Sequence, residues 1–160
     1  MSEPDVLTML AARAGFYAGE GLNHEEQAFA GELTVEPMVG NRAVLLRYRA
    51  LGPDGAVYHS EASLVGMRED GVVCMWPVMS ELPAILVHAV ISTSESPSGR
   101  MTVVFRHGDP ADEEVFRQEL VLDLWPNQDL SYRHAWGLPL GMYKERSSAR
   151  MKQQKPRKEG

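Results

Sequence analysis

The chain has a single cysteine among its 160 residues, Cys74, so no intrachain disulfide can form. Cys74 stands in "GVVCMW", an apolar run that reads as a buried strand, where a thiol behaves as an inert core group rather than a nucleophile. Long hydrophobic runs are missing too. The longest, around Pro83–Ile91, falls far short of the ~18 residues of a membrane helix. The opening "MSEPDV" is acidic, with no basic segment of the kind that begins a secretory signal. These absences lead to the expectation of a cytoplasmic protein without membrane contact. Recognisable catalytic signatures are also lacking: no P-loop, no H-E-x-x-H, no G-x-S-x-G, no Cys/His zinc spacing and no G-x-G-x-x-G. The sequence therefore assigns no catalytic residue and no metal ligand set.

Lysine is absent from the first 143 residues, which carry nine arginines against twenty acids. Residues 144–160 reverse this with seven bases and two acids. The expectation is one domain over 1–146 followed by a basic, disordered tail over 147–160, since the last residues show no apolar pattern and contain a proline. An acidic body repels phosphates, which argues against nucleic acid as a partner. At 17.8 kDa, with 44% hydrophobic and 24% charged residues, the chain can bury a core without disulfide or metal support.

Apolar positions in "PDVLTMLAARA" recur at helical spacing, predicting a short helix over Pro4–Ala14 that ends before Gly15. Beyond it lie short runs of β-formers, read as strands near 16–22, 27–37, 42–51, 56–67, 72–77, 84–93, 100–107, 113–124, 129–137 and 140–150. Turn sequences such as "GPDG", "REDG", "SPSG" and "PNQD" separate them. About ten strands at hairpin spacing predict an all-β fold, a closed antiparallel up-and-down barrel that leaves no free edge. A sandwich of the same strands is the alternative.

Period-two stripes name the candidate site residues. In "LSYRHAWG", Tyr132, His134 and Trp136 share a face. In "VYHSEASLVG", His59, Glu61 and Ser63 share one, and a His–Glu pair two apart can share a proton or tie a strand to its neighbour. Tyr48 ends the apolar face of "AVLLRYRAL", opposite Arg47 and Arg49. His88, in "AILVHAVI", reads as a satisfied core histidine or a cavity group. His24 and His107 read as loop and turn residues, and Trp76 and Trp125, each before a proline, as seals at strand ends.

The segment "GFYAGEG" after the helix, with Gly15, Gly19 and Gly21 around Tyr17, resembles the G-x-W-x-G-x-G opening of calycin barrels, Tyr17 standing for the usual tryptophan. The "HSE" triplet at His59–Glu61 and "DLSY" at Asp129–Tyr132 resemble strands of nitrobindin-like members of that superfamily, which also includes lipocalins and fatty-acid-binding proteins. The resemblance implies a calycin-like barrel binding a small hydrophobic molecule, with Tyr17, Tyr48, His59, Glu61, His88, Tyr132, His134 and Trp136 as contacts. Nitrobindins hold haem through a histidine on the last strand. Here that strand, "LGMYKERSSARM", has none, so haem does not carry over unless His134 or His88 takes the role. No cofactor is therefore expected. A non-catalytic binding protein is the leading reading. A haem protein, or an isomerase or lyase using a His/Glu pair, is the alternative, and a homodimer is compatible with either.

Overall fold

The computed structural model describes residues 5–155. One helix, α1 (Val6–Ala11), precedes ten strands: β1 (Gly15–Asn23), β2 (Ala28–Met38), β3 (Ala43–Leu51), β4 (Val57–Met67), β5 (Val73–Met79), β6 (His88–Glu95), β7 (Met101–His107), β8 (Arg117–Leu124), β9 (Leu130–Gly137) and β10 (Lys144–Gln153). Each strand pairs antiparallel with the next, and β10 returns to β1, from Tyr17↔Gln153 to Asn23↔Ser147. This closure excludes the sandwich and satisfies both edges of the sheet.

Alternation places one face of every strand in the lumen. On β3, Val44, Leu46, Tyr48 and Ala50 are buried while Arg47 and Arg49 are exposed. On β4, Glu61, Ser63 and Val65 point inward, and on β9 Leu130, Tyr132 and His134 do. Up-and-down connectivity puts alternate loops at the same end. One end receives α1 and the β2–β3, β4–β5, β6–β7 and β8–β9 turns; the other receives the remaining five connections.

The helix closes the first end. Asp5 caps it, accepting from the Leu7 amide at 3.1 Å and the Thr8 hydroxyl at 2.6 Å. Val6, Leu7 and Leu10 are buried against the barrel core. Arg13 then donates to the carbonyls of Trp125 at 2.8 Å and Asp129 at 3.3 Å, pinning the helix exit to the β8–β9 turn. Gly15, at φ 144, turns the chain into β1.

Several sequence expectations need correction. The helix stops at Ala11 because the amides of Arg13 and Ala14 bond only three residues back; Pro4 lies outside the described residues. β6 begins at His88, not 84, since residues 80–87 cross the open end and only Cys74↔Ala89 and Met75↔His88 join β5 to β6. β8 begins at Arg117, not 113, because Asp109 and Asp112 fold the preceding loop into turns. The buried Arg117 donates to the Leu138 and Gly141 carbonyls at 2.8 and 2.7 Å, holding residues 138–143 as a loop that delays β10 to Lys144. The barrel also does not end at 146. Residues 147–153 form most of β10, paired on both sides with β1 and β9, so the basic tail expected there is barrel wall; residues 156–160 lie outside the described residues. Trp76 sits mid-strand opposite Leu64 on the outer face and seals nothing.

β1 approaches β10 closely enough to require glycine. A Cβ on Gly19 would stand 2.1 Å from the Arg150 carbonyl oxygen, whereas one on Gly66 would meet nothing closer than 3.9 Å. Gly19→Ala is expected to cost on the order of 2 kcal/mol or more, read as a lowered denaturation midpoint. Gly66→Ala is expected to change stability by less than about 1 kcal/mol. Equal effects would rule out this account of the closure.

Candidate functional site

β4 and β9 are five strands apart in either direction round the ten-strand ring, so they face each other across the lumen. Side chains from both meet in its centre. Glu61, on β4, is buried. Its Oε2 accepts from the Tyr132 hydroxyl at 2.5 Å and from Ser63 at 2.9 Å. Its Oε1 lies 3.1 Å from Nε2 of His134 and 3.1 Å from Nε2 of His59. One carboxylate thus links opposite walls, and all of its roughly four acceptor sites are taken.

Electrostatics follow from this arrangement. Burial, the largest single effect on Glu61, would raise its pKa, but the hydrogen bonds and charges of His134 and His59 together hold it well below the usual carboxylate range. His59 is also clamped from the other side: Nδ1 lies 2.6 Å from Oε2 of Glu81. Both ring nitrogens face carboxylate oxygens, which only accept, so the ring is complete as an imidazolium. Burial opposes that charge, yet the two carboxylates raise the His59 pKa above its ordinary value. On His134, Nδ1 faces the Ser147 hydroxyl at 3.4 Å.

The Tyr48 ring packs against the cluster. Tyr48 stacks on His134, with centroids 5.6 Å apart, and stands edge-on to Tyr132 at 5.0 Å. Its buried hydroxyl has no hydrogen-bond partner among the described residues. Burial, then the Glu61 charge, push the Tyr48 phenol up.

Above the cluster, toward the end opposite α1, lies a cavity of about 300 Å³. Phe29, Ala50, Met79, Leu82, Phe116, Trp136 and Leu138 give it mostly apolar walls; Tyr48, His59, Gln118 and His134 also border it. At the mouth the Arg146 guanidinium lies 4.1 Å from the Trp136 ring centroid and donates to the Trp136 and Met142 carbonyls. No carboxylate pairs with Arg146 among the described residues.

Of the residues named from sequence, Tyr48, His59, His134 and Trp136 border the cavity, and Glu61 and Tyr132 lie directly beneath it. Two do not join them. Tyr17 is at the helix end, its hydroxyl donating to the Arg13 carbonyl at 2.7 Å. His88 is a buried wall residue held by the Leu86 carbonyl at 2.7 Å and the Gln118 side chain at 2.8 Å. Sequence reasoning missed Met79, Glu81, Gln118 and Arg146. Glu81 had a signal: the β4–β5 turn at Arg68–Gly71 fixes a register of Glu61↔Met79, and continuing it by two residues sets Glu81 opposite His59. Cys74 is buried and free, with a thiol pushed up by desolvation; it shares the outer face of β5 with Trp76, not the lumen.

Two measurements probe this network. Glu61→Gln is expected to cost about 3 kcal/mol, since it leaves buried donors without their anion, and Tyr132→Phe about 1–2 kcal/mol. The double variant should cost clearly less than their sum; strict additivity would mean that the contact across the lumen contributes nothing. His88 gives a pH signature. Burial, aided by neighbouring His107, lowers its pKa despite its two hydrogen bonds. As pH falls through about 6.5 the unfolded chain binds a proton that the folded ring resists, so stability drops until the folded value is passed. His88→Gln should show a smaller stability loss than wild type between about pH 7 and pH 5, measured by chemical denaturation.

No family model and no curated protein matches the chain. Among solved structures it is similar to Rv2717c from M. tuberculosis, with TM-score 0.72 and 15% identity over 96% of this chain and 100% of that chain. At that identity the likeness concerns the fold alone: a closed ten-stranded antiparallel barrel.

Proposed function

We propose that the protein binds a small, largely apolar molecule carrying an anionic group, with its apolar body inside the barrel and the anion at the mouth. The observation that carries this reading is the apolar cavity of about 300 Å³ that opens between Trp136 and the β5–β6 connection. Its size is at the lower end of the roughly 300–1,000 Å³ common for small-molecule sites. Arg146, flat on Trp136 and without an acidic partner among the described residues, offers the complementary charge. The likeness of "GFYAGEG", "HSE" and "DLSY" to calycin strands supports the same reading.

Acid–base catalysis by a His/Glu pair is less well supported. Glu61 has no free acceptor site, and both nitrogens of His59 are committed to carboxylates. Haem does not fit either. β10 carries no histidine, and the imidazole nitrogens deepest in the lumen point at one carboxylate oxygen instead of an open axial position.

Anilinonaphthalene sulfonate, an aromatic body with a single anionic group, is a suitable probe. Its fluorescence should rise on binding to the wild-type protein. Ala50→Trp, which fills the cavity from β3, should weaken binding by about tenfold or more with the melting temperature little changed. Arg146→Gln should weaken it by up to about fivefold and leave an uncharged naphthalene probe unaffected. Undiminished binding by the Ala50→Trp protein would place the probe elsewhere and defeat the proposal.

A further inference from the structure

The geometry points to a site for a divalent first-row metal ion at the floor of the cavity, held by Nε2 of His59, Nε2 of His134 and Oε1 of Glu61. These three atoms lie within 4.8 Å of one another, and each nitrogen is 3.1 Å from the shared oxygen. A tetrahedral ion with bonds near 2.0–2.1 Å separates its ligand atoms by about 3.3 Å. Each nitrogen therefore already stands close to the required spacing from Oε1, and the ion would take the place of the protons that join the rings to the carboxylate. Two imidazoles and one carboxylate suit zinc and its neighbours and leave a position open for water or a ligand.

The groups around these ligands support the assignment. A metal-bound imidazole ordinarily directs its other nitrogen at a carboxylate or another acceptor that fixes the ring. His59 has Glu81 in that place at 2.6 Å, and His134 has the Ser147 hydroxyl at 3.4 Å. The second oxygen of Glu61 is anchored by Tyr132 and Ser63, which leaves Oε1 directed at the two rings. An independent observation comes from Tyr48. Its ring is 5.6 Å from that of His134 and 5.9 Å from that of His59, and its buried hydroxyl has no partner among the described residues. Water or a ligand atom on the ion's open position would give that hydroxyl the partner it lacks. The cavity supplies the entry path, since both imidazoles border it.

Calorimetric titration of untagged, chelator-stripped protein with Zn²⁺ tests the site. One ion per chain is expected to bind, and saturating Zn²⁺ should raise the melting temperature. Co²⁺ in its place should give the intense visible absorption of a four- or five-coordinate ion. His59→Ala and His134→Ala should each weaken binding at least about 100-fold, and Glu81→Gln about tenfold through the orientation of His59; His107→Ala should change nothing. Melting curves without metal show whether each variant is folded. An absence of binding by the wild-type chain, or an affinity unmoved in folded His134→Ala, overturns the assignment. So does a wild-type melting temperature indifferent to saturating Zn²⁺, a result that needs no variant. Because the titrant is the metal alone, failure here leaves the binding of anilinonaphthalene sulfonate untouched, and the reverse also holds.

Discussion

The interior of this barrel is organised by one buried carboxylate. Placing an ion such as Glu61 out of water is costly unless its acceptor sites are filled and an opposite charge stands beside it. Here both conditions are met by residues drawn from opposite walls: His59 and Ser63 from its own strand, Tyr132 and His134 from the strand diametrically across. The requirement runs both ways. Without the carboxylate, three buried donors and the half-buried His59 would lose their shared acceptor together. The cluster thereby ties β4 directly to β9 across the lumen.

The cluster also divides the lumen into a filled half and an open one. Eight strands enclose a space that side chains just fill, and ten enclose more. Toward α1 the excess is taken up by the helix itself, whose Val6, Leu7 and Leu10 are buried in the core cluster against β2 and β3. Toward the mouth there is no plug. A small inward residue, Ala50, leaves room that aromatic rims surround without occupying. The cavity is thus a consequence of strand number and side-chain size, and Glu61 with its partners forms its floor.

Strand number and the period-two stripes of β3, β4 and β9 were legible in the sequence, because alternation and turn chemistry are local properties; which stripe faces the lumen was not, because closure of the sheet decides it. Their meeting was not. Glu61 and His134 are 73 residues apart, and no spacing reveals that two strands face each other until the closed strand order is known. The length of β10 was misread for a different reason. "SSARMKQ" has a weak apolar pattern, yet it is held between two strands whose ladders lack any other partner. Closure of the sheet overrides local propensity there. Tyr17 sits in a motif that resembled a binding-site strand, but its hydroxyl serves the helix exit.

The misread strand also changes what the charge pattern means. The sequence pattern sets the bases after residue 146 in a tail apart from an acidic body, but Arg150 and Lys152 lie in β10, in the wall of that body. Arg150 binds Asp129 at 3.0 Å and lies 3.8 Å from the Trp125 ring centroid, at the helix end. Arg146 occupies the same strand at the other end, where the β9–β10 loop leaves it carbonyls and an aromatic face but no acid. Along one strand, then, the same residue type is structural at one end of the barrel and available at the other. An otherwise acidic barrel carries at its mouth a guanidinium with no carboxylate partner among the described residues, above a His59 ring clamped between two carboxylates. Closure of the sheet thus carries bases of the C-terminal segment into the wall of an otherwise acidic barrel.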